Sequence, residues 1–155
     1  MKPRKKYNPN KHRVSVDSYL RTIRLSKPIA EDSKVLLNEQ IHAALLAITS
    51  GVGRTEHFDV LASTVDIVFM MSSNLFGNDC AEDIEEARKA MFRLKDRFHK
   101  FGSMGFDGEG YQAIKKLIII HDEVMNNVTG SEMLQFMQAR QKALAAGNVY
   151  QGAVV

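Results

Sequence analysis

Cysteine is almost missing from this 155-residue chain: Cys80 stands alone. One thiol can close no intrachain disulfide and build no cysteine-based zinc site, which excludes the disulfide-rich secreted scaffolds and fits a reducing, cytosolic setting. Long apolar runs are missing too. The stretch from Val65 to Met71 is broken by Asp66, and Leu117 to Ile120 is short, whereas a membrane span takes roughly 18 residues. The N-terminus has no apolar stretch of the signal-peptide kind. A soluble, cytoplasmic protein with no membrane association is expected. There is no internal repeat and no recurring turn-and-alternation pattern to announce a sheet. What is present is ordinary: 45% apolar and 25% charged residues argue against a disordered or low-complexity chain, and the length suits one domain.

The net charge of +3 conceals an asymmetry. Lys2, Arg4, Lys5, Lys6, Lys11 and Arg13 fall in the first 13 residues with no acid among them, leaving 15 basic against 18 acidic residues in the remainder. The body is therefore mildly acidic, and the basic character belongs to the N-terminus. Pro3, Asn8, Pro9 and Asn10 interrupt any helical period, so residues 1–13 read as a flexible basic arm. Its six cations, with Tyr7 able to stack on a base, make Lys2, Arg4, Lys5, Lys6, Tyr7, Lys11 and Arg13 the candidate residues for nucleic acid or an acidic partner. An arm that merely aids solubility is the plainer reading.

A single helical domain is expected over 14–147, followed by a loose tail at 148–155. Residues 14–30 are ambiguous: Val14 and Val16 alternate as in a strand, while Tyr19, Leu20, Ile23 and Arg24 suit one or two helical turns ahead of Pro28. This stretch reads as a docking segment. Leu37, Ile41, Ala44, Leu45 and Ile48 then form a stripe at spacings of three and four, giving a helix at 33–49 closed by Gly51. A second helix runs from about Thr55 to Leu75, with Phe58, Leu61, Ala62, Val65, Val68 and Phe69 on a face wide enough for a central position. The third, at 80–101, has a heptad seam of Ile84, Ala87, Met91, Leu94, Phe98 and Phe101. Its acids lead and its bases follow, which complements the helix dipole and permits a Glu85–Lys89 pair. A fourth helix at 109–127 looks central because Ile119 and Ile120 extend its apolar stripe. The fifth starts at Ser131 and Glu132 and ends near Ala146. The fold class expected is all-α, a bundle of about five helices. The second to fourth helices offer more apolar face than a small bundle buries, so self-association, most simply as a dimer, is expected.

Each candidate for chemistry has a plainer structural explanation. His121 and Asp122 resemble the paired residues of the all-helical metal-dependent phosphohydrolases, for which His42, His57 or His99 would supply an upstream ligand. That family's shell also needs a later aspartate, and none follows Asp122. No two histidines lie four apart on a helix, so neither metal nor cofactor is expected. Cys80 stands at a helix start, but Asp79, Glu82 and Asp83 oppose the thiolate. Gly51 and Gly53 precede Arg54 and Thr55, where amides and a cation could face an anion. Gly102, Gly105, Gly108 and Gly110 form a second cluster. Neither matches a P-loop, and flexible helix connections account for both. The methionines read as core filler rather than as an adaptable groove.

The opening Met-Lys-Pro-Arg-Lys-Lys-Tyr-Asn-Pro, the stretch from Asn38 through His42, Ala43, Leu45 and Thr49 to Gly51, and the segment from His121 and Asp122 to Thr129 together resemble small uncharacterised proteins of bacteriophages and prophages. The resemblance implies a mobile-element origin and a life in the bacterial cytoplasm, with no catalytic residues to carry over. The function expected is a non-enzymatic helical interaction module acting on a host or phage component. A nucleic-acid-binding regulator using the arm is the alternative. A binder or hydrolase of a small phosphorylated ligand, drawing on Arg54, Thr55 and His121, is a third.

Overall fold

The structure of the protein, a computed structural model, describes residues 26–146. The arm with its candidate residues Lys2 to Arg13, the stretch 14–25 and the tail lie outside the described residues. Five helices follow: α1 (Glu31–Thr49), α2 (Thr55–Phe76), α3 (Ala81–Phe101), α4 (Gly108–Asn127) and α5 (Gly130–Ala145). The bundle is all-α, and every helix lies within two residues of its periodicity-based start. Among the described residues the one extended pairing is an isolated bridge between Pro28 and Thr129. No described helix is long and apolar enough to cross a membrane.

α2 packs against all four other helices, as its broad apolar face requires. Phe58, Leu61, Val65 and Val68 meet Ile41 and Ile48 of α1, Met91 and Leu94 of α3, and Ile114 and Leu117 of α4 in one buried core. The α3 seam from Ile84 to Leu94 is thus buried against the other helices of the same chain. Three positions depart from the sequence reading. Phe69, placed on the apolar face of α2, is 47% exposed and lies beneath the Arg88 guanidinium. Phe101, expected in the seam, is 74% exposed, because it is the last residue of α3 and Gly102 turns the chain away with φ of 70°. Ile119 is also exposed: it stands about 100° around α4 from Ile118, off the buried stripe of Ile114, Leu117, His121 and Val124.

Surface pairing on α3 also differs from the expected Glu85–Lys89 contact. Glu85 engages Arg88 at 3.2 Å and Glu86 engages Lys89 at 3.1 Å. Arg88 lies over the Phe69 ring of α2, 4.2 Å from its centre, which fixes it on the side of the helix where Glu85 is nearest.

The start of α5 corrects a second expectation. The N-cap is Thr129, whose Oγ1 accepts from Glu132 N–H at 3.2 Å, so Ser131 lies already within the helix. The chain entering α1 is held at the same place: Gly130 N–H donates to Lys27 O at 3.2 Å beside the Pro28–Thr129 bridge. α5 contains no fully buried residue and, among the described helices, its backbone comes close to α2 alone. Met133 and Phe136 secure it against a small cluster of Met71, Val124 and Val128. Arg140 Nε adds a 2.7 Å ion pair to Asp66, whose side chain is 7% exposed on α2.

Candidate functional site: an apolar cleft beside α5

Because the α5 backbone approaches α2 but stands off α1 and α4, it leaves a cleft of about 630 Å3 bounded by α1, α2, α4 and α5, within the range of pockets that hold small molecules or anchoring side chains. Leu37 of α1, Val60 and Ile67 of α2, Met125 of α4 and Met133, Leu134 and Met137 of α5 make it apolar. Ile29, on the strand-like entry to α1, closes one end. Its polar groups are few: Ser33, Gln40, Asp59, Ser63, Thr64 and His121. Thr64 Oγ1 is already committed to Val60 O at 2.8 Å.

The methionines therefore divide. Met71, Met91 and Met104 are core filler as the sequence reading holds, whereas Met133 and Met137 line the cleft and Met137 is 48% exposed. An unbranched thioether side chain accommodates differently shaped apolar partners at little cost.

His121 is the one buried titratable group in this lining, 1% exposed. Its Nδ1 has no hydrogen-bond partner and stands 3.8 Å from Asp122 Oδ1, which is equally without one. That separation is too long for a hydrogen bond. Burial holds the imidazole below its ordinary pKa, and the neighbouring Asp122 carboxylate opposes the shift without reversing it. His121 is therefore neutral at pH 7, with one donor and one acceptor. Since an unfolded histidine titrates near 6.5, the unfolded chain takes up this proton first, and stability falls as pH drops through and below that value. Urea midpoints measured from about pH 7.5 down to about 5.5 are expected to decline in the wild type, with His121→Leu reducing the slope; an identical slope in the variant would assign it to other groups.

The structure places the two residues singled out for an anion, Arg54 and Thr55, apart from His121, which lines the cleft. Arg54 is the N-cap of α2 and Thr55 its first residue, both exposed, with His57 Nδ1 accepting Arg54 N–H at 3.0 Å. Neither lines the cleft. Gly53 has a packing reason: a Cβ there would meet Ile48 Cγ1 at 2.8 Å and Met104 Cβ at 3.3 Å. In the second cluster Gly102 supplies the left-handed C-cap of α3, its N–H donating to Phe98 O at 2.8 Å. Asp107 caps α4 by accepting from Gly110 N–H; this bond and, after it, the Arg93 guanidinium at 3.0 Å hold its carboxyl below the usual range.

His42 and His99 are exposed, and no three histidine, cysteine or carboxylate side chains converge on a common point among the described residues. The phosphohydrolase shell is thus not assembled there. Cys80 is the partly buried N-cap of α3. Sequence reasoning did not identify the cleft, since its walls come from separated stretches and carry no motif. The Met133–Met137 spacing on α5 was the one local signal. No protein-family model matches the chain, and neither a curated protein nor a solved structure shows significant similarity to it.

Proposed function

We propose that the protein is a non-enzymatic interaction module whose cleft receives an amphipathic helical segment of a protein partner, a host or phage component in a bacterial cytoplasm. The observation that carries this reading is the cleft itself: an apolar, methionine-bearing groove between helices with a sparse polar rim, the surface that helix-in-groove recognition uses. The resemblance to phage proteins supports the setting. Ser63 is half-buried in the groove wall, so Ser63→Trp fills it while leaving the rim charges in place. Nuclease-treated bacterial lysate passed over each full-length chain is expected to leave a discrete set of proteins on the wild type that Ser63→Trp loses. Retention of the same proteins by both chains would overturn the proposal, and a second copy of the chain in the set would give the dimer its interface.

The arm supports a second reading. Six cations without an acid suit phosphate binding, and full engagement would release enough counterions for the logarithm of duplex affinity to fall against log salt with a slope of up to about −5. Neutralising Lys5 and Lys6 is then expected to flatten that slope by roughly two units. Absence of any DNA or RNA affinity at low ionic strength removes this reading.

A further inference from the structure

The polar groups of the cleft differ in what they still need. Ser33, Gln40 and Asp59 are exposed to water and Thr64 is bonded to Val60 O, whereas His121 is fully buried with no hydrogen-bond partner among the described residues. Its Nδ1 is sealed from solvent on the side of Asp122, which belongs to a separate polar recess with Glu31, Asn38 and Asn126. Attraction to that carboxylate keeps the proton of the neutral ring on Nδ1. Nε2, on the other edge of the ring, is not sealed, and its lone pair is left to the cleft that His121 lines. A buried acceptor without a donor is costly, and an occupant of the cleft is what can bring one.

Two features of the lining narrow the chemistry of that donor. Most of it is apolar, Ile67, Met125 and Met133 included, so the donor must sit at the end of an apolar body. No lysine or arginine lines the cleft and its single carboxylate is Asp59, so an anionic group would be buried with no cation to receive it. A tyrosine side chain meets both conditions, with an aromatic body and an uncharged hydroxyl at its tip. Serine and threonine bring too little apolar surface, and tryptophan carries its N–H on the flank of a larger ring. Resting on the reading of the cleft as a groove for a partner's helix, we infer that an anchor of that helix is a tyrosine whose hydroxyl donates to His121 Nε2, so that His121 sets a preference for tyrosine over phenylalanine.

The probes are p-cresol, which is the tyrosine side chain alone, and toluene, its phenylalanine counterpart, titrated into the full-length chain labelled at the methionine methyls. Both are expected to shift the resonances of Met125, Met133 and Met137 and to leave those of Met91 and Met104, in the core, where they are. The ratio of p-cresol to toluene affinity is expected to fall about tenfold in His121→Leu, where the buried hydroxyl loses its acceptor, and to recover in His121→Gln, whose amide oxygen replaces it. Taking the ratio on each variant cancels changes in cleft shape that affect both probes alike. If both probes bind and the ratio is the same in wild type and His121→Leu, this inference falls while the groove stands. Tighter binding of p-toluate than of p-cresol by the wild type would also overturn it, because the donor would then not be an uncharged hydroxyl. If neither aromatic probe moves the three resonances, the tyrosine anchor is excluded, and the segment-binding reading still answers to the lysate comparison with Ser63→Trp.

Discussion

Leu94→Asp is expected to abolish the folded state or to lower its stability by roughly 5 kcal/mol, a large part of the 5–15 kcal/mol that a domain of this size commands. Leu94 is 1% exposed at the centre of the α3 seam, among Met91, Ala87 and the facing side chains of α2 and α4. The substitution removes a buried isobutyl group and puts a carboxylate in its place with no cation in the surrounding core. The variant must leave the charge desolvated, protonate it, or open the helix to water. Leu94→Met, which conserves volume, is expected to cost less than about 1.5 kcal/mol. Urea denaturation followed by far-ultraviolet circular dichroism reads both, and a wild-type midpoint for Leu94→Asp would show that the seam does not face the core.

Arg140→Ala is expected to cost about 3 kcal/mol, more than its partly exposed position alone would suggest. Its Nε reaches Asp66 Oδ2 at 2.7 Å, and truncation leaves that carboxylate on α2 buried without its closest cation. Burial already pushes Asp66 above its ordinary pKa, with Arg140 the main opposing influence and Arg88 a weaker one. Loss of Arg140 raises it further, so the variant's deficit grows as pH rises through the folded-state pKa and shrinks as acid neutralises Asp66. Asp66→Asn in the Arg140→Ala background is expected to recover much of the loss, since removing both charges abolishes the uncompensated one. Urea midpoints of the two single variants and the double variant, taken at pH 7 and near pH 4.5, check this. A pH-independent deficit with no recovery in the double variant would reassign the effect to lost packing of the arginine stem.

The helical architecture was legible because each helix marks its own stripe. Ile41, Ala44, Leu45 and Ile48 repeat at intervals that only one helical face satisfies, and all four are buried. Periodicity does not say how far along or around a helix its partners reach, which is why Phe101, at the end of α3, and Phe69 and Ile119, at the edges of their stripes, were assigned to apolar faces that stop short of them. The α5 start was written in the sequence as Thr129 with Glu132 three residues on, the spacing of a capping box, and starting from Ser131 missed it. The cleft was illegible for another reason. A groove is defined by where helices fail to touch, and the distance between Leu37, Ile67 and Met137 is set by tertiary packing alone.

The thin attachment of α5 has a consequence for sequence divergence. With no fully buried residue, this helix contributes one wall of the groove while its sequence is nearly exempt from the volume constraints that bind α2 and α3. Substitutions at Leu134 and Met137 can recontour that wall without disturbing the Met71, Val124 and Val128 cluster against which Met133 and Phe136 pack, provided Arg140 keeps Asp66 satisfied. The contour of the groove and the stability of the bundle thereby rest largely on separate residues, so that, under the proposed interaction role, the first can be retuned while the second stands still.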